Sequence, residues 1–216
     1  MALSHSPKVV TAGLRNCTDN RNIKSYTGGS AITDIITNST VSTNTIPNSA
    51  VSWLNSGVNN ITLTAVVTRL TTNAGYATNP FYKYVDPSNN TFNLYMFGNF
   101  NNANPGDDGR LWYYSNVNGS WTAVGSSYVC QINETVMFTL QYNSSAGGQT
   151  WTNGSKVGSR SGNGRFGSVG NTSNLTVFTP PETSVLTLHY TAIYDRELSD
   201  AEITQNYNAL RGRYRI

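Results

Sequence analysis

The sequence predicts an all-β protein, a two-sheet antiparallel jelly-roll sandwich (residues 51–216) with one short C-terminal helix. Three observations carry that expectation. Apolar and polar residues alternate along segments 60–70 and 134–142, the period of a half-buried strand. Asn153-Gly154 sits between two strand-like stretches, 149–152 and 156–157, and that dipeptide accepts the positive φ angles of a tight hairpin turn. Only near the end does a helix signal appear: Ser199-Asp200-Ala201-Glu202 is a capping box, in which hydroxyl and carboxylate satisfy reciprocal backbone N–H groups.

The first fifty residues hold short apolar pieces, Val9-Val10, 32–36 and Ile46, in a polar matrix. They read as an extended N-terminal arm, 1–50, that adds edge strands to the same domain. Along 60–70, Ile61, Leu63, Ala65 and Val67 share one face, and Thr62, Thr64 and Thr68 share the other. Strands at 91–97 and 111–115 flank a loop, 99–109, whose turn signals are Asn104-Pro105-Gly106 and Asp108-Gly109. Along 134–142, Val136, Phe138, Leu140 and Tyr142 fall together. A short strand at 175–178 and a long one at 185–194 follow. In the helix, 199–211, Ile203, Tyr207 and Leu210 recur at helical spacing, and Gly212 stands where a C-cap belongs. The helix is expected to seal one edge or end of the sheets.

Composition agrees and excludes several classes. Charged residues are 12% of the 216 and aromatics 11%, with Asn, Thr, Ser and Gly dominating the rest, which favours strands joined by polar turns over helices. A chain of this length buries enough surface to need no disulfide or metal. A net charge of +3, without a dense basic stripe, argues against nucleic acid as a partner. No apolar run reaches the roughly 18 residues of a membrane span, and segment 1–7 lacks the basic-then-apolar pattern of a secretory leader. Cys17 and Cys130 have no C-x-x-C spacing; they either pair across the fold or are two buried thiols, and the second reading is the simpler. Sequons such as those at Asn16, Asn38, Asn60, Asn118 and Asn174 are largely what so Asn-, Ser- and Thr-rich a chain produces by chance.

The segment Ala192-Ile193-Tyr194-Asp195-Arg196-Glu197-Leu198-Ser199-Asp200-Ala201-Glu202-Ile203 resembles the closing motif of concanavalin A-like (laminin G-like) jelly rolls, in which a last strand runs into a capping helix. Asn206-Tyr207-Asn208-Ala209-Leu210-Arg211-Gly212-Arg213-Tyr214 is similar to the ending of versions from tailed phages, cyanophages especially, and large algal viruses. The opening, Ser6-Pro7-Lys8-Val9-Val10-Thr11-Ala12-Gly13-Leu14, is similar to the first strand of the same viral proteins. The hairpin at Asn153-Gly154 resembles the family's Y-x-N-G turn.

The resemblance implies a virion structural protein, made in the host cytoplasm without a signal peptide. Its expected role is a capsid decoration (cement) protein on the capsid surface, binding the major capsid protein, other virion subunits or a second copy of itself. The alternative is a carbohydrate-binding, lectin-like module of a phage tail or fibre, with a surface glycan as partner. Assembly contacts are expected from Val9 and Val10 in the arm and from Arg211, Arg213 and Arg215 in the basic tail. No cofactor is required, although laminin G-like domains often hold one calcium ion in an oxygen-rich loop. Asp107 and Asp108, near Asn101, Asn102 and Asn104, are the candidate ligands here, and the same stretch also reads as a plain exposed turn.

For a glycan, Trp112, Tyr113 and Asn102 supply the usual pairing of aromatic face and amide, while in any half-buried strand alternate members of Trp112-Tyr113-Tyr114 face the core. Catalysis is not expected. The glutamates, Glu134, Glu182, Glu197 and Glu202, lack the E-x-D-x-x-E spacing of glycoside hydrolases on this fold, and neither His5 nor His189 stands in a triad pattern.

Overall fold

A computed structural model of the chain describes residues 8–19, 32–33, 40–41, 45–53, 60–70, 109–117, 120–143, 145–158, 174–176 and 186–216. The strand expected at 91–97 and most of the loop expected at 99–109 lie outside them. Strands β1 (Leu14–Asp19), β2 (Ile32–Thr33), β3 (Thr40–Val41) and β4 (Thr45–Ile46) precede a single turn of helix, α1 (Asn48–Val51). Then come β5 (Asn60–Arg69), β6 (Arg110–Val117), β7 (Ser120–Val129), β8 (Thr135–Asn143), β9 (Gly147–Thr152), β10 (Ser155–Lys156), β11 (Leu175–Thr176) and β12 (Leu186–Tyr194). Helix α2 (Asp200–Tyr214) closes the chain. The protein is an all-β sandwich with that one substantial helix at its C-terminus.

Six strands form the main antiparallel sheet in the order β1-β12-β5-β8-β9-β10, so the edge strand β1 from the N-terminal fifty residues pairs with the last strand. The hairpin β9–β10 forms as its sequence requires: Asn153 (φ 50) and Gly154 (φ 76) take the two left-handed positions of a primed turn. Asn153 also ties the turn to β8, because its Oδ1 accepts from the Met137 N–H and its N–H donates to the Met137 carbonyl.

The strands β5 and β8 are buried on both faces, not one. On the face of Leu63, Phe138 and Leu140, the β6–β7 hairpin forms a second layer, with the Tyr128 ring edge-on to Phe138 at 6.4 Å. The opposite face carries Val66, Met137, Trp151, Tyr190 and Tyr194, and helix α2 packs over it through Ile203, Leu210 and Tyr214. The helix therefore covers a sheet face, where the sequence led one to expect an edge or end. The threonines of this face tolerate burial because their hydroxyls are satisfied locally. Thr64 bonds Thr139 across strands at 3.1 Å, while Thr62 donates to the Arg196 carbonyl and accepts from the Leu198 N–H. Gln141, on the same face, donates to the Leu198 carbonyl.

A bulge between Leu188 and Tyr190 turns His189 toward this face too, where it bonds Thr68 and lies 5.6 Å from the Tyr214 ring.

The capping box forms as expected, with Glu202 N–H to Ser199 Oγ and Ser199 N–H to Glu202 Oε2. The helix end differs from expectation. Gly212 is inside α2, which continues to Tyr214, and Arg215 takes the left-handed cap position (φ 59, ψ 45). Leu210 and Tyr214 are both buried one turn apart, so packing of the last turn outweighs the helix-breaking tendency of glycine. Cys17 and Cys130 are both buried thiols and do not form a disulfide.

Candidate functional site

The expected site residues divide between the two faces of the main sheet. On the helix side, residues 8–13 run as a strap across α2. Val10 is in the core, where its N–H donates to Asn206 Oδ1 (2.7 Å) and its carbonyl accepts from Tyr194 Oη (3.1 Å). Asn206 in turn donates to Tyr194 Oη, which closes a buried three-residue ring. Val9 packs against the same core cluster. Gln205 and Arg196 hold the strap on either side through the carbonyls of Lys8 and Ala12. Arg211 and Arg213 are exposed in the last turn of α2, and Arg215 is its exposed cap.

On the other side of the sheet is the β6–β7 hairpin. Trp112 and Tyr113 lie in β6, opposite Gly125 and Val124 of β7. Asn102, Asp107 and Asp108 fall outside the described residues; among those described, no group of three or more His, Cys, Asp or Glu side chains is placed to hold a metal. The hairpin ladder is regular from Trp112–Gly125 to Val117–Ser120 and breaks toward Arg110, which pairs with Val129, so that β7 bulges through residues 126–128. The bulge is pinned. Ser126 Oγ accepts from the Tyr128 N–H, Ser127 donates to the Val157 carbonyl through both its N–H and its Oγ, and Tyr128 Oη donates to Glu134.

At the base of the hairpin is a rim that sequence reasoning did not identify. Arg69, almost fully buried at the end of β5, donates from Nη1 to the Cys130 carbonyl at 2.6 Å, and the Cys130 N–H donates to the Gly109 carbonyl. Gly109 has φ +80, and a Cβ there would meet the Arg69 guanidinium and lie 2.5 Å from the Cys130 carbonyl oxygen. Glu134 accepts from Tyr128 and from the Gln131 N–H (2.6 Å), so its carboxylate is committed to the β7–β8 turn. Burial pushes the Cys130 thiol up to about 12, with the Glu134 charge adding to the shift. Burial, then the bond to Glu134, also raises Tyr128 above the ordinary phenol value. An isolated arginine near a strand end gives no sequence signal of this kind; only the turn dipeptide Asp108-Gly109 hinted that backbone of unusual φ was needed there.

Three further carboxylates make structural contacts as well. Glu202 forms a bidentate pair with Arg196, Glu197 accepts from Asn143, and Asp195 pairs with Arg15. The arrangement is therefore a β-sandwich with an aromatic-bearing outer hairpin on a hydrogen-bonded base.

Solved structures share this architecture. Domain 4 of AbnA, a GH43 extracellular arabinanase from Geobacillus stearothermophilus solved in complex with arabinotriose, is similar over 88% of this chain and 86% of its own, with a TM-score of 0.53 at 15% identity. The binding domain of Paraclostridial Mosquitocidal Protein 1 matches 70% of the chain at a TM-score of 0.53 and 14% identity. Trypanosoma rangeli sialidase, in complex with sialic acid, matches 95% of the chain at 0.54 and 15%. This chain spans only 37% and 36% of the length of those last two. At such identities the likeness establishes the β-sandwich fold. No protein-family model matches the sequence, and no curated protein does.

Proposed function

We propose that this protein is a carbohydrate-binding β-sandwich module. The observation that carries the reading is the domain-for-domain match with a unit solved with arabinotriose bound, covering 88% of this chain and 86% of that one. A toxin binding domain and part of a sialidase share the architecture, which fits a surface-recognition role. The capsid role expected from the resemblance to viral jelly rolls has no counterpart among these neighbours. The strap residue Val10 is also occupied within its own domain. Among the described residues, binding without hydrolysis is supported by the glutamates: Glu134, Glu197 and Glu202 each serve a turn, a strand or a helix cap, whereas glycoside hydrolysis needs two facing carboxyl groups about 5–10 Å apart.

The test is a glycan array with the purified chain, followed by incubation of each hit with the protein and assay of released reducing ends. Saturable binding with no release is expected. An array with no hit, or release of reducing sugar, overturns the proposal. Adding EDTA tests the calcium proposed at Asp107 and Asp108: loss of binding that calcium restores supports it, and binding unaffected by EDTA removes the ion from the account.

A further inference from the structure

Residues 8–12 are held to the rest of the protein by side chains, and what those side chains hold is main chain. Gln205 Nε2 donates to the Lys8 carbonyl (2.7 Å) and Asn206 Oδ1 accepts from the Val10 N–H (2.7 Å). Tyr194 Oη donates to the Val10 carbonyl (3.1 Å), and Arg196 Nε donates to the Ala12 carbonyl (2.9 Å). The backbone is thus read at alternate residues, 8, 10 and 12, the period with which an extended segment presents it. Asn206 also donates to Tyr194 Oη, so the two groups that clasp Val10 brace each other.

The side chains of the strap are read far less. Lys8, Thr11 and Ala12 are exposed, Val9 is half-buried, and Val10 alone is in the core. Hydrogen bonds to main chain with one apolar pocket are how proteins recognise extended peptides: the backbone gives affinity and the pocket gives selection. Every group of this site comes from residues 194–206, far from the strap in sequence. Gly13 separates the strap from β1. It has φ +75, a Cβ there would meet the Arg196 and Asp195 side chains at 2.9 Å, and β1 pairs with β12 from Leu14 onward. A change of dihedral angles at Ala12 and Gly13 therefore swings residues 8–12 off α2 and leaves β1 in the sheet.

We infer that the cleft between β12 and α2 is a binding site for an extended peptide, and that its partner from outside is residues 8–12 of a second copy of this chain, exchanged about Gly13. Two arguments select that occupant. The pocket and the main-chain contacts are already matched to Lys8-Val9-Val10-Thr11-Ala12, and a second copy brings that segment unchanged. Reciprocal exchange then replaces each strap contact by an identical one. The hinge supplies the other argument: exchange about Gly13 keeps the β1–β12 pairing, so it requires no opening of the main sheet. Within one chain the strap competes at an effective concentration in the millimolar range, so exchange belongs to copies held at high concentration. The inference is independent of the carbohydrate-binding reading and stands or falls without it.

The experiment uses the full chain. Amide hydrogen exchange of the wild type comes first. The Val10 amide, although hydrogen-bonded, should exchange about tenfold or more faster than the amides of β5 and β8, because the strap opens while the sheet stays closed. Equal protection would show that the strap opens only with the whole fold, which overturns the inference. The chain is then unfolded, refolded at micromolar concentration and at about 1 mM, and sized by light scattering. A dimer fraction that rises with protein concentration is expected, and an excess of a synthetic peptide of residues 8–14 during refolding should reduce it about tenfold. The same peptide carrying Val10→Asp should leave it unchanged. Wild type that stays monomeric at the higher concentration, or a dimer that the peptide does not diminish, overturns the exchange. A Val10→Asp chain, whose strap would bring a charge into the core, should remain monomeric and bind the fluorescent 8–14 peptide about tenfold more tightly than wild type does. Peptide bound by that variant while wild type never dimerises would assign the cleft to a foreign peptide and overturn the second copy as its occupant. The first two measurements need no variant, so they decide the matter if the Val10→Asp chain does not fold.

Discussion

Gly154 sits at φ +76 in the β9–β10 turn, and an added Cβ would meet the Tyr207 side chain at 3.1–3.2 Å. Gly212 lies within α2, exposed, and a Cβ added there would have nothing within 4 Å. Substitution by alanine should therefore act in opposite directions. Gly154→Ala should cost at least about 1 kcal/mol through left-handed backbone alone, and Gly212→Ala should gain up to about 1 kcal/mol by removing helical glycine entropy. Urea denaturation of both variants measures the two signs. The first position was legible from Asn153-Gly154 in the sequence. The second was not, because a glycine near a helix end reads as a cap, and only the burial of Tyr214 shows that the helix runs on. Asn206 was equally illegible: a polar residue at 2% exposure is explained only by its bonds to Val10 and Tyr194. Asn206→Ala leaves the buried Val10 N–H without its acceptor and should cost about 2 kcal/mol, read in the same urea titration.

Among the elements, helix α2 depends most on electrostatics. The Arg196 guanidinium, through its paired hydrogen bonds, holds the Glu202 carboxyl well below its ordinary 4.5, at about 2, and the Ser199 cap contributes in the same direction. A carboxyl whose folded value is depressed stabilises the fold fully above its unfolded value and loses that contribution as pH falls. Thermal stability should thus decline as pH drops from 4.5 toward 2. Glu202→Gln should flatten that part of the profile and lower the neutral-pH melting temperature; a profile identical to wild type would contradict the assignment. For the strands, alternation in β5 and β8 identified the apolar face correctly but implied a wet threonine face. The pattern misleads because threonine hydroxyls pair across strands, so a polar side chain satisfies its hydrogen bonds inside the protein and the helix can lie over it. The β6–β7 hairpin was legible as aromatic strand, yet its register was not. Register there follows from a bulge at residues 126–128 that no local sequence signal announces.

At the level of the whole molecule, the two sheet faces are covered by different elements. One is sealed by the strap and α2; the other supports the β6–β7 hairpin, through Tyr128 on Phe138. Both cysteines are buried. Cys17 lies in the helix-side cluster, and Cys130 is buried with its thiol raised to about 12. Neither should react with a thiol reagent at neutral pH until the fold opens, so an Ellman assay should detect no reactive thiol in native protein and both after denaturation. Rapid native labelling of either would contradict the packing described. The overall architecture was within reach of pattern reading, since strand periodicity, hairpin and capping box agree with one another. The choice of partner was less legible: the specific part of the resemblance, the last twenty-five residues, put a virion shell first and a surface glycan second, and the structural neighbours fit the second better in fold.

The most direct test of the central claim is an amide chemical-shift titration of the ¹⁵N-labelled chain with arabinotriose and neutral β-glucan and galactan oligosaccharides. Saturable shifts with at least one probe are the predicted result. No saturable shift with any probe would contradict carbohydrate binding.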